Sequence, residues 1–123
     1  MSDQKNKKAN RVRYSSESDH YIWGDNCDGW HLVKNAGLSV IRETMPPGTS
    51  EKRHYHEKAQ QFFYILSGEA TFEIEGETLL VKPNQGISIQ PMEKHCIANQ
   101  AQTELSFVLV STPPAQGDRI NLE

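Results

Sequence analysis

The chain has 123 residues, enough for one domain around a single buried core. Hydrophobic residues make up only 36% of it, which leaves apolar surface for a partner subunit to complete. A formal charge of −3 gives no reason to expect nucleic acid or an anionic membrane as the main partner.

Residues 1–20 read as a basic, solvated tail. Lys5, Lys7, Lys8, Arg11 and Arg13 crowd into its start with no aromatic residue among them, which argues against a nucleic-acid arm. No apolar signal-type region follows and no run reaches membrane-spanning length, so the expected location is the cytoplasm. Cys27 and Cys96 are too few and too far apart for a disulfide scaffold. A single domain is expected over residues 21–112, followed at 113–123 by an extended tail lying on the surface.

Within the domain, YIWGDNCDGW (Tyr21–Trp30) reads as a turn-rich arm and WHLVK (Trp30–Lys34) as a strand. From about Gly37 onward, short apolar or alternating runs are broken by turn residues. LSVIRETM ends at Pro46-Pro47-Gly48, QFFYILS at Gly68, ATFEIE at Gly76, and ETLLVK at Pro83-Asn84. GISIQ stops at Pro91, HCIAN follows, and ELSFVLVS closes before Pro113-Pro114. Strand signals about every ten residues, with Gly and Pro between them, predict an all-β sandwich or barrel. No phosphate-cradling glycine loop and no Gly-x-Ser-x-Gly occurs.

The chemistry concentrates in RHYHEKAQQFFYILSG, Arg53 to Gly68. In a strand, residues i and i+2 face the same side, so His54 and His56 point together and Tyr55 points away. Such a pair can hold one metal ion or can simply be two surface histidines. The metal reading needs further ligands from other strands, and Gln61 and His95 each open one. A barrel bringing three strands side by side could gather His54, His56, Gln61 and His95 around one point inside its mouth.

This stretch resembles the first motif of the cupin superfamily, Gly-x5-His-x-His-x(3,4)-Glu-x6-Gly. Gly48, His54, His56 and Gly68 fall at the family intervals, and Gln61 stands at the Glu position. The second motif, Gly-x5-Pro-x-Gly-x2-His-x3-Asn, is met at His95 and Asn99. Asn84, Gln90 and Met92 occupy its Gly, Pro and Gly places. The resemblance, to small single-domain cupins of the RmlC-like kind, covers roughly Leu38 to Ser111. It implies a double-stranded β-helix, or jelly-roll, barrel of six to eight strands, usually a homodimer. By position, it implies His54, His56, Gln61 and His95 as ligands of a divalent transition metal: Fe, Mn, Ni, Zn or Cu.

Gln61 in place of an acid brings a neutral carbonyl oxygen, a weaker donor than a carboxylate. Three imidazoles and an amide leave the ion its full charge, more Lewis acidic and less tightly held. Gln61 either ligates directly or holds a water or a histidine from behind. The expected function is that of a metal-dependent enzyme, dioxygenase- or isomerase-like, acting on a small polar molecule. The alternative is a barrel that binds a sugar, an aromatic acid or the metal without turnover. No general base is evident beyond Tyr and Glu residues whose facing the sequence does not settle.

The remaining candidates have plainer readings. Asn99 is a turn or strand-end residue and not a ligand, and Phe62, Phe63 and Tyr64 are mostly core. Cys96 should face away from His95, into the packing between sheets, as a buried thiol. His20 and His31 lack partners at ligand spacing and are read as structural. Trp23 and Trp30 are expected to pack the arm against a second subunit, with capping of the barrel mouth as the other option. Arg42 and Arg53 could reach an anionic substrate or be solvated charges.

Overall fold

The computed structural model describes residues 11–12 and 14–122, so most of the basic start, residues 1–10 and 13, lies outside the described residues. After a 3-10 turn at Ser15–Glu17, eleven strands follow. They are β1 (Asp19–Trp23), β2 (Cys27–Lys34), β3 (Ser39–Met45), β4 (His54–His56), β5 (Gln60–Ser67) and β6 (Ala70–Ile74). The rest are β7 (Glu77–Val81), β8 (Gly86–Ile89), β9 (His95–Ala98), β10 (Leu105–Thr112) and β11 (Arg119–Asn121). Among the described residues no helix is long and apolar enough to cross a membrane.

Two antiparallel sheets form, one in the order β1-β2-β3-β10-β5-β8 and the other β11-β4-β9-β6-β7. β3 to β10 make the eight-stranded jelly roll, four strands to a sheet; β1, β2 and β11 extend its edges. Alternation within each strand sets the facing. In β5, Gln61, Phe63 and Ile65 are buried while Phe62, Tyr64 and Leu66 are exposed. Phe63 meets Phe72 edge-on at 5.0 Å and Phe107 at 5.5 Å, between the sheets. Met45, Ile65, Ile89, Ile97 and Leu105 complete this core at 0 to 1% exposure. It lies beyond the imidazoles, so the barrel has an apolar centre of its own.

Turns fall where the sequence places them. β6 and β7 are joined by Glu75 and Gly76, with φ of 49° and 83°, the left-handed pair that a two-residue hairpin turn requires. Gly68, between β5 and β6, has φ of 79°, and a β-carbon there would lie 2.5 Å from the carbonyl oxygen of Glu104. In the second motif, Asn84 and Met92 adopt φ of 67° and 73°. The residues that replace glycine therefore keep a conformation glycine favours.

Three segments differ from the sequence reading. The turn-rich arm is a hairpin: only residues 24–26 reverse the chain, and Tyr21 and Trp23 belong to a strand that pairs with β2. That strand owes its place to β2, which in turn pairs with β3, a partnership no local pattern announces. Beyond Pro114, residues Arg119–Asn121 pair with β4 as an edge strand. Cys96 is half-buried on the outer face, because the inward positions of β9 are His95 and Ile97.

Candidate metal centre

β4 is only three residues long, yet its alternation buries both His54 and His56 and leaves Tyr55 half-exposed. His54 pairs in register with His95 of β9, which brings the third imidazole alongside. The ring centroids lie 5.0 Å (His54–His56), 4.4 Å (His54–His95) and 5.8 Å (His56–His95) apart. One nitrogen from each ring comes within 4.8 Å of the other two, so the three could hold a metal ion.

Backbone carbonyls orient two of the rings. Nδ1–H of His54 donates to Lys52 O at 2.8 Å and Nδ1–H of His95 to Glu93 O at 2.9 Å. Each bond selects the tautomer whose Nε2 carries a lone pair. Burial lowers the basicity of all three imidazoles: His54 is held down to about 3, His56 to about 4, and His95 below its usual range. Desolvation leads in each case, and the other imidazoles and Arg119 add to it. The rings are therefore neutral donors at physiological pH.

Gln61, at the start of β5, is 6% exposed. Its amide nitrogen donates to Ser111 Oγ at 3.1 Å, while its Oε1 is buried without a hydrogen-bond partner. His95 Nε2 is likewise buried and unpartnered. Orphaned buried acceptors are rare because each forfeits its bond to water. The three neutral imidazoles have the donor chemistry that a divalent transition metal fits.

His54 and His56 line a cavity of about 360 Å³, within the range of small-molecule pockets. The β1–β2 hairpin supplies Tyr21, Trp23 and His31, while Ile41, Phe63 and Leu109 form an apolar side. Trp23 thus lines the cavity, the lesser of its two expected roles, whereas Trp30 sits 5.2 Å beneath the Arg42 guanidinium. His31 also lines the cavity and His20 pairs with Asp28 at 2.7 Å. Arg53 lies 3.6 Å from Glu73. Asn99 is structural, with Nδ2 donating to Met45 O and Thr103 O, both at 2.9 Å.

Four cavity groups were not singled out from the sequence. Tyr21 donates its hydroxyl proton to Glu43 Oε2 at 2.6 Å. Burial pushes Glu43 up to about 7, against the Tyr21 bond and the Arg119 charge, and pushes the Tyr21 phenol up as well. Glu51 is pushed up to about 8, again by burial first, although Arg119 Nη1 lies 3.6 Å from its Oε2. Arg119 also reaches Lys52 O with Nη2 at 3.3 Å. Glu43 carried a usable signal, since it shares the inward face of β3 with Ile41 and Met45. Arg119 carried none, because its place depends on β11 folding back onto β4.

These features define a small jelly-roll barrel with a histidine cluster in its mouth. The family model described as Cupin domain matches residues 41–111, and the chain belongs to the cupin family. It is 35% identical over 78 residues to the oxalate-binding protein of Thermotoga maritima, covering 63% of this chain and 64% of that protein. To the polyketide synthase CurC of Streptomyces cyaneus it is 29% identical over 79 residues, 64% of this chain and 49% of the other. The chain thus spans less than two thirds of these relatives' lengths. A Thermotoga maritima structure described as a predicted oxalate decarboxylase superposes with a TM-score of 0.77 at 27% identity, covering 84% of this chain and 99% of the other. The polyketide cyclase RemF from Streptomyces resistomycificus gives 0.77 at 18% identity, over 91% and 84% of the two chains, a likeness of fold alone.

Proposed function

We propose that His54, His56 and His95, with Gln61 Oε1 as fourth donor, hold a divalent transition metal, and that the protein is a metal-dependent enzyme acting on a small, oxygen-rich anion. The observation that carries this reading is the convergence of three buried imidazoles, with Gln61, whose Oε1 is buried without a partner, lining the same cavity as His54 and His56. When bound, the ion supplies Lewis acidity toward a ligand oxygen. The chain's own residues do the rest. Arg119 adds positive charge at the mouth, Trp23, Ile41, Phe63 and Leu109 limit ligand size and exclude water, and Glu43 can exchange a proton near neutral pH.

A neutral amide where the motif has an acid leaves the site more positive, which suits an anionic ligand. The name of the Thermotoga maritima relative supports the same ligand class and favours a second reading, capture of a small carboxylate without turnover. Protein loaded in turn with Mn, Fe, Ni, Zn or Cu is titrated with oxalate and small hydroxy acids, with oxygen uptake and ligand consumption followed in parallel. Metal-dependent consumption supports the enzyme. Tight metal-dependent binding with no consumption transfers the reading to the binding protein, and equal binding with and without metal removes both.

A further inference from the structure

Across the cavity from the imidazoles, Glu43 has properties that neither the core nor the metal site requires. Its carboxyl sits on the inward face of β3 between Ile41 and Met45, positions that otherwise hold apolar side chains. Replacing it by a hydrophobic residue would relieve burial of a carboxyl, so packing alone gives no reason for an acid. Tyr21, on a different strand, donates to Glu43 Oε2 at 2.6 Å, the length of a charge-assisted hydroxyl–carboxylate bond. Both residues line the cavity. This pair links the wall made by the β1–β2 hairpin to the barrel floor.

We propose that Glu43, aimed by Tyr21, is the proton-exchanging group of this cavity: it takes up a proton as a small carboxylate anion enters and then presents that O–H to the ligand. The inference rests on the anion-binding reading above. The charged and titratable groups around the cavity favour it. Tyr21 from β1 remains a neutral donor, His31 from β2 is held below its usual range by burial, and Glu51 is a second acid pushed upward. Arg119 from β11 is the cavity's cation, and the imidazoles of His54 and His56 are neutral. A carboxylate entering this space is drawn in by the bound ion and one guanidinium and is brought beside two acids. Unless an acid is protonated, two like charges face each other in a poorly solvated site. Burial pushes the Glu43 carboxyl up to about 7 in the metal-free chain, and an anion seated beside it favours the protonated form further. The step is a proton transfer from bulk water to a carboxylate oxygen of Glu43, with no change of oxidation state.

The test is calorimetric titration of oxalate into Mn-loaded protein at pH 7, in two buffers that differ in ionisation enthalpy. The wild type should take up roughly 0.3 to 1 proton per oxalate bound, the range for one group shifted through neutral pH. Glu43→Gln, with its manganese content unchanged, should reduce the uptake to near zero. Tyr21→Phe should retain uptake but move its pH midpoint, which a merely structural contact would not do. Proton uptake persisting in Glu43→Gln overturns the inference and assigns the proton elsewhere. Manganese retention without any oxalate binding overturns it as well. Failure to retain manganese at all refutes the metal reading itself, a distinguishable result.

Discussion

The Gln61 amide nitrogen and the Ser111 hydroxyl lie 3.1 Å apart across the β5–β10 ladder, where the two residues are in register. With the nitrogen engaged there, the carboxamide oxygen is the atom available for the proposed fourth ligand position. In this orientation the serine hydroxyl accepts from the amide N–H, and the Gln61 oxygen is left buried without a hydrogen-bond partner.

Ser111→Ala should therefore weaken metal binding about 10-fold, in the range typical of residues that orient a ligand from behind. Gln61→Glu should tighten binding by restoring a charged donor, and Gln61→Leu should weaken it more than Ser111→Ala does. Competitive titration against a chelating dye ranks the three. Equal affinities throughout would show that the amide lies outside the coordination sphere.

His56→Ala should abolish stoichiometric metal binding while leaving the barrel folded. The core of Phe63, Phe72, Phe107 and Ile97 has its own contacts and does not depend on this imidazole. In metal-free buffer the variant should melt within a few degrees of the metal-free wild type, since its ΔΔG is expected to stay below about 1 kcal/mol. Far-ultraviolet circular dichroism and elemental analysis on one preparation check both halves. Loss of the β spectrum would make the centre structural.

The metal-free protein should be most stable in mildly acidic solution. At His54 and His56 the folded values of about 3 and 4 lie below the unfolded 6.5, so the unfolded chain binds more protons in that window. Stability contributed there is present above pH 6.5 and lost as the pH falls. At Glu43 and Glu51 the folded values of about 7 and 8 lie above the unfolded 4.5, so the folded chain binds more protons. Stability contributed there is present below pH 4.5 and lost as the pH rises through 7 and 8. The opposing slopes leave a maximum between about pH 4.5 and 6.5, measurable by thermal melts of chelator-treated protein. A melting temperature climbing steadily up to pH 8 would contradict this.

Asp118 clips the loop between β4 and β5. Its carboxylate accepts backbone N–H bonds from Glu57 at 3.2 Å and from Lys58 and Ala59 at 3.0 Å, and these bonds hold its pKa below the usual range. The clipped loop joins His56 to Gln61, so Asp118→Ala should accelerate amide exchange at residues 57–59 and in β11, and weaken metal binding in parallel. Unchanged exchange at 57–59 would show that the loop holds its shape unaided.

Much of this was legible in the sequence, and the limits have physical causes. Strands β3 and β5–β10 announce themselves through alternation and turn residues, both local signals. His54 and His56 stand out as an i, i+2 pair and His95 through its place in the family motif, and the structure brings the three rings together because β4 pairs with β9 at His54 and His95. Positive φ at Asn84 and Met92 explains how a second motif lacking its glycines keeps its turns. The Tyr21–Glu43 pair, by contrast, is formed by residues 22 positions apart on strands that meet only through β2. Arg119 enters the cavity only because the six residues between Thr112 and Arg119 carry the chain back to β4. Such placements depend on sheet order, which no short window of sequence contains.

The most direct test of the central claim is X-ray absorption at the metal edge of protein purified at neutral pH, paired with elemental analysis. The account predicts about one divalent ion per chain surrounded by three imidazole nitrogens and at least one oxygen, with the imidazole signature falling in His95→Ala. A chain that retains no ion, or a metal shell without imidazole scattering, would contradict it.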